Sequence, residues 1–166
     1  MFIQHRTPTV KLVHFCADEC ARQQSGEQSV GRMVEAFLFC FSEISSLPLS
    51  SNSNTFSRIV EKAGTLLEPT LNPYGFRSQP VSFKDHPVVV PVQDFERAVS
   101  NLYWALRESS ISPEEFYQEF EELHPFNDGN GRIGAILYNL LRAGELKDLG
   151  YKHEVDLTTP PPFKNR

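Results

Sequence analysis

The sequence predicts a mainly α fold carrying one small β-hairpin, and three observations predict it. Five stretches repeat apolar residues at helical spacing. Two of those stretches open on side chains suited to capping a helix. The segment 69–91, with five prolines and a glycine, is too broken for a long helix yet holds two short β-branched runs.

The elements follow in order. Residues 1–26 mix a strand-like run, TVKLVHF, with a polar run, CADECARQQ, and form an N-terminal arm left unassigned. From Glu27 to Ser46, Val30, Met33, Val34, Phe37, Leu38, Phe41 and Ile44 mark one face of a buried helix. The loop LPLSSNSN separates it from a second helix, Thr55 to about Leu67. Within 69–91, PVSF and VVV joined by KDH suggest an exposed hairpin. Phe95, Val99, Leu102, Tyr103 and Leu106 then share a helical face behind Asp94, a candidate N-cap. Ser112 caps the next helix, with Pro113 at its first position and acids in its first turn, and that helix ends at His124. A final helix starts near Gly131 or Arg132, with Ile133, Ile136, Leu137, Leu140 and Leu141 as a core stripe. The organisation is thus an arm (1–26), a helical core (27–150) and an extended tail (151–166).

Composition narrows the functional classes. At 166 residues, 40% apolar and 22% charged, the chain suits one globular core. Its net charge of −5 lacks the basic field of a nucleic-acid binder. Three irregularly spaced cysteines, Cys16, Cys20 and Cys40, read as free thiols in a reducing cytoplasm, although delivery into another cell stays open. His14, Cys16 and Cys20 match no common zinc spacing. No run approaches the roughly eighteen apolar residues of a membrane span.

The unusual residues concentrate in His124-Pro125-Phe126-Asn127-Asp128-Gly129-Asn130-Gly131-Arg132. Pro125 is expected to hold His124 extended at a helix end, where its imidazole can act as a base. Gly129, Asn130 and Gly131 lead into a helix whose first N–H groups lack partners, a cradle for an anion. Arg132 adds a cation, and Asp128 a carboxylate suited to magnesium bound partly through phosphate. Base, metal ligand and anion cradle within nine residues are what phosphoryl or nucleotidyl transfer needs. Phe126 reads as a core plug.

This run resembles the Fic signature HPFx(D/E)GNGRxxR, and the resemblance extends over about 74–143. It implies a Fic-type helical bundle with a hairpin flap (about 76–92) over an active-site loop (124–132), and transfer of AMP from ATP to a hydroxyl of a protein target. His124 would be the catalytic base and Asp128 the Mg2+ ligand. Gly129, Asn130 and Gly131 would hold the α and β phosphates, with Arg132 supporting the leaving phosphates. Flap residues Pro80, Val81, Ser82, Phe83, Val88, Val89 and Val90 would dock the target's Ser, Thr or Tyr segment by strand addition. A separate antitoxin or inhibitor protein is a further partner the resemblance admits.

One departure stands out: Ala135 replaces the second arginine of the signature. Losing one charged partner of a phosphate costs roughly 1.5–3 kcal/mol, about ten- to a hundredfold. The family's inhibitory motif, (S/T)xxxE(G/N), is also absent; Ser57–Glu61 and Ser110–Glu114 match it only loosely. No inhibition of the usual kind is expected. Two alternatives accompany AMP transfer: another phosphate-linked donor such as UMP or phosphocholine, and a weakened module that binds nucleotide or protein without turnover.

Overall fold

The computed structural model describes residues 10–47, 53–83, 88–148, 157 and 161, with side chains omitted for 144–148. The expected hairpin turn at 84–86, the first nine residues and nearly all of the tail fall outside that set. Among the described residues, six helices and a two-stranded sheet follow in order: α1 Val10–Arg22, α2 Gln28–Ser45, α3 Ser53–Leu67, β1 Val81–Ser82, β2 Val89–Val90, α4 Phe95–Arg107, α5 Pro113–Leu123 and α6 Asn130–Asp148. The mainly α fold with one small hairpin is as the sequence predicts.

The two caps read from the sequence are present. The Asp94 side chain accepts the Arg97 N–H at 3.1 Å. Ser112 and Glu115 form a reciprocal capping box, each side chain meeting the other residue's backbone N–H. Such boxes satisfy donors the helix leaves open. Ser112→Ala is expected to lower unfolding free energy by about 1 kcal/mol in urea titration.

The arm left unassigned contains α1. Leu12, Phe15, Cys16, Glu19 and Cys20 fall at helical spacing on its buried face, which packs against α2 and α6. α3 packs against α2, α4 and α6, and α5 against α4 and α6. α6 is the bundle's central rod. Every residue from Asn130 to Leu141 is buried, so the core stripe expected on one face becomes burial all round. Ala135 lies in the core at 0% exposure. Of the tail, Leu157 packs on the core and Pro161 is buried.

β1 and β2 pair antiparallel, Val81 with Val90 and Ser82 with Val89. Val88 and Val89 are exposed. Among the described residues, no helix is long and apolar enough to cross a membrane.

Candidate active site

The loop between α5 and α6 is anchored before it is functional. Phe126 is fully buried, and its ring lies where a Cβ on Gly64 would sit, so only glycine fits that position of α3. Asn130 is 2% exposed and braces the loop: its Oδ1 accepts the Phe126 N–H at 2.8 Å and its Nδ2 donates to the Phe126 carbonyl at 2.9 Å. Its side chain is therefore spent on the loop. What Asn130 can offer an anion is its main-chain N–H at the start of α6. Gly129, at φ +82, turns the chain into that helix, and its carbonyl accepts the Ile133 N–H at 2.9 Å.

His124 departs from expectation. It is not extended but left-handed, at φ 48 and ψ 59, as the C-cap of α5. Its N–H closes the helix by donating to the Phe120 carbonyl at 3.1 Å. That bond and two from Arg77 outweigh the local preference of a residue before proline. Arg77 Nε donates to the His124 carbonyl at 2.7 Å, and the Arg77 N–H to the Pro125 carbonyl at 2.9 Å.

The imidazole is held in one tautomer. Nδ1 lies 3.2 Å from the Glu121 carbonyl, which can only accept, so Nδ1 carries the proton and Nε2 keeps its lone pair. The Phe83 ring of the flap covers the imidazole edge-on at 4.6 Å. Burial, and after it the nearby Arg77 cation, bring the histidine pKa down to about 4 against the opposing pull of Asp128. His124 is neutral at pH 7.

Arg132 is placed otherwise than the sequence suggests. Its guanidinium is buried, with Nη1 2.8 Å from Glu68 Oε1 and Nη2 3.3 Å from Asp128 Oδ2. Two carboxylates thus bracket the cation expected to face phosphate. Glu68 closes α3 and lies outside both loose matches to the inhibitory motif. The glutamates of those matches are used elsewhere: Glu61 accepts the Phe76 N–H at 3.1 Å, and Glu114 accepts the Tyr138 hydroxyl at 3.0 Å. Glu68→Ala strips a buried cation of its closer partner and is expected to cost about 3 kcal/mol in urea denaturation.

Gly131 faces α1. A Cβ there would run into the side chain of Gln23, which donates to the buried Glu19 at 3.1 Å. The end of α1 therefore flanks the first turn of α6. Asp128 is half-exposed, with one carboxylate oxygen on Arg132 and the other without a hydrogen-bond partner among the described residues. No three potential metal ligands gather among the described residues. A lone half-exposed carboxylate would suit a magnesium ion carried chiefly by phosphate oxygens.

Two residues that sequence reasoning missed organise the site. Asn72 is fully buried and staples its loop to the active-site loop: Oδ1 accepts the N–H groups of Asn127 and Asp128 at 3.1 and 3.3 Å, and Nδ2 donates to the Asp128 carbonyl at 2.9 Å. Arg77 does the same for the flap. Beyond His124, it donates to the carbonyls of Gln79, Val90 and Pro91 at 2.8–3.2 Å. A cleft of about 340 Å3 opens beside this loop, between Tyr74, Phe76 and Asn127, but its walls do not include His124.

The Fic/DOC family profile matches residues 58–141, about half of the chain and all of the loop just described. The chain belongs to the Fic/DOC family. Its Fic fold also resembles the crystal structure of a Fic family protein from Desulfovibrio desulfuricans G20, with a TM-score of 0.52 at 22% identity. The match covers 89% of this chain and 46% of that one, so the chain spans about half the length of its relative. No curated protein matches it. Against the Fic signature, the described side chains of Asn130 and Arg132 are engaged within the protein, while the Nε2 of His124 has its lone pair available.

Proposed function

We propose that this Fic/DOC protein transfers AMP from ATP to a hydroxyl side chain of a target protein. Family membership supports a Fic-type transferase in general. The observation that carries the finer reading is the neutral, flap-covered imidazole of His124 at the head of the loop that leads into α6.

Nε2 takes the proton of the target hydroxyl as its oxygen bonds to the α phosphorus. The bond from that phosphorus to the β-bridging oxygen breaks, and pyrophosphate leaves. The N–H groups of 130–132 at the start of α6 meet the phosphate charge as it shifts. Magnesium, when bound at Asp128 with the phosphates, would supply charge neutralisation there. Val81, Ser82, Val89 and Val90 align the target backbone by strand addition, and Pro80, Phe83 and Val88 flank it. The three buried free thiols suit a reducing cytoplasm, and a Fic/DOC protein has an antitoxin-like inhibitor as a natural further partner.

Arg132 locked between Glu68 and Asp128, together with the buried Ala135, favours a second reading: binding of nucleotide or protein without turnover. The test incubates wild-type and His124→Ala protein with magnesium, cell lysate and separate nucleotides labelled at the α phosphate. A labelled protein band that appears with ATP and needs His124 supports AMP transfer. A band with another nucleotide alone reassigns the donor, and none with any nucleotide favours the binding module or a donor such as phosphocholine.

A further inference from the structure

His124 stands in a conformation its own sequence disfavours. A left-handed backbone suits glycine and asparagine, and the residue before a proline is biased toward extended geometry. Strain of this kind persists where surrounding structure over-determines it. Arg77 is the side chain that does so. It is 3% exposed, stacks at 4.7 Å over the Phe95 ring at the start of α4, and spreads its guanidinium across four main-chain carbonyls. One carbonyl, at 2.7 Å, belongs to His124; the other three belong to Gln79 ahead of β1, to Val90 at the end of β2 and to Pro91 just after it. Guanidinium is a planar fork of five donors, so its bonds fix directions that a lysine ammonium leaves free.

We infer that Arg77 is the positioning residue that couples the flap to His124, so that the hairpin's placement and the histidine's left-handed turn form one mechanical unit. Arg77 does not touch the reacting atoms; it acts through His124 and the hairpin. The carbonyl it grips at His124 adjoins the turn that directs Nδ1 to Glu121. The bonds to Gln79, Val90 and Pro91 hold the flap that brings Phe83 onto the same ring. Freeing the guanidinium therefore loosens the ring's cover and its tautomer together. The role in transfer rests on the function proposed above, whereas the coupling is a property of the folded chain and is read without turnover.

The test compares wild type, Arg77→Lys and Arg77→Gln by amide hydrogen exchange and by ring 15N spectra of His124, with wild type also measured in urea at matched global stability. Arg77→Gln is expected to speed exchange in 79–83 and 88–92 by roughly tenfold or more, with α2, α3 and α5 following the stability-matched wild type. The His124 ring is expected to change from one Nδ1–H tautomer to a mixture. Arg77→Lys keeps the charge and is expected not to restore either signature. Where labelling occurs, its rate falls by on the order of a hundredfold, as for a slightly misplaced base. A protected flap and a single tautomer in Arg77→Gln would overturn the coupling, as would acceleration spread evenly over the protein. Should Arg77→Gln not fold, Phe95→Leu removes the ring beneath the guanidinium and is expected to give both changes more weakly; their absence would overturn the coupling equally. Both changes with no transfer by wild type would sink the proposed reaction and leave the coupling standing.

Discussion

His124→Ala is expected to cut transfer by 10²–10⁴-fold while the circular dichroism spectrum stays that of the wild type. The side chain is the only part of His124 that faces chemistry: its main chain, through the Phe120 and Arg77 bonds, survives the substitution. A rate unchanged by His124→Ala would show that another group takes the proton. The pH dependence adds a second signature. A base must be unprotonated, and burial with Arg77 nearby holds His124 at about 4, so the wild-type rate is expected to stay flat from pH 7 down to about 5 and to fall near 4 rather than 6.5. Stability runs in the same direction. The unfolded chain protonates His124 near 6.5 and the folded chain only near 4, so acidification through that window favours unfolding. His124→Ala is expected to flatten the loss of urea midpoint between pH 6.5 and 4.

Phe126→Ala is expected to cost about 3–5 kcal/mol, the range for emptying a buried aromatic site. A domain of this size holds roughly 5–15 kcal/mol in all, so about a fifth or more of its stability goes. The ring is fully buried, sits 5.3 Å from Phe76, and fills the notch that Gly64 leaves in α3. The same residue anchors the loop, since both main-chain polar groups of Phe126 are bound by the Asn130 side chain. Activity is therefore expected to fall further than the unfolded fraction accounts for. A urea midpoint within error of wild type would mean that Phe126 is not the anchor.

Much of this was legible in the sequence, and the exceptions have causes. α2 through α6 announced themselves because aliphatic and aromatic residues recur at helical spacing and because Ser112, Pro113 and Asp94 carry cap chemistry. α1 shows the same spacing, but its buried face includes Cys16, Glu19 and Cys20 in place of aliphatic residues. A buried glutamate cannot be told from a solvated one without its surroundings. Here Glu19 lies 3.0 Å from Arg22 and bonds Gln23, and burial raises its pKa. Asn72 and Arg77 escaped for a related reason: in a proline-rich loop both look like ordinary polar residues, and their partners lie 47–56 positions away in the case of His124, Asn127 and Asp128.

By itself the sequence determined the helices, the hairpin and the list of groups at the loop, because periodicity, caps and glycines act over a few residues. Only the tertiary structure decided the state of those groups. His124 is neutral and left-handed because Arg77, Glu121 and Phe83 converge on it, and Arg132 is bracketed because the end of α3 delivers Glu68 to it. Charge, tautomer and backbone strain depend on what burial brings alongside a residue, and burial is settled by packing between elements distant along the chain.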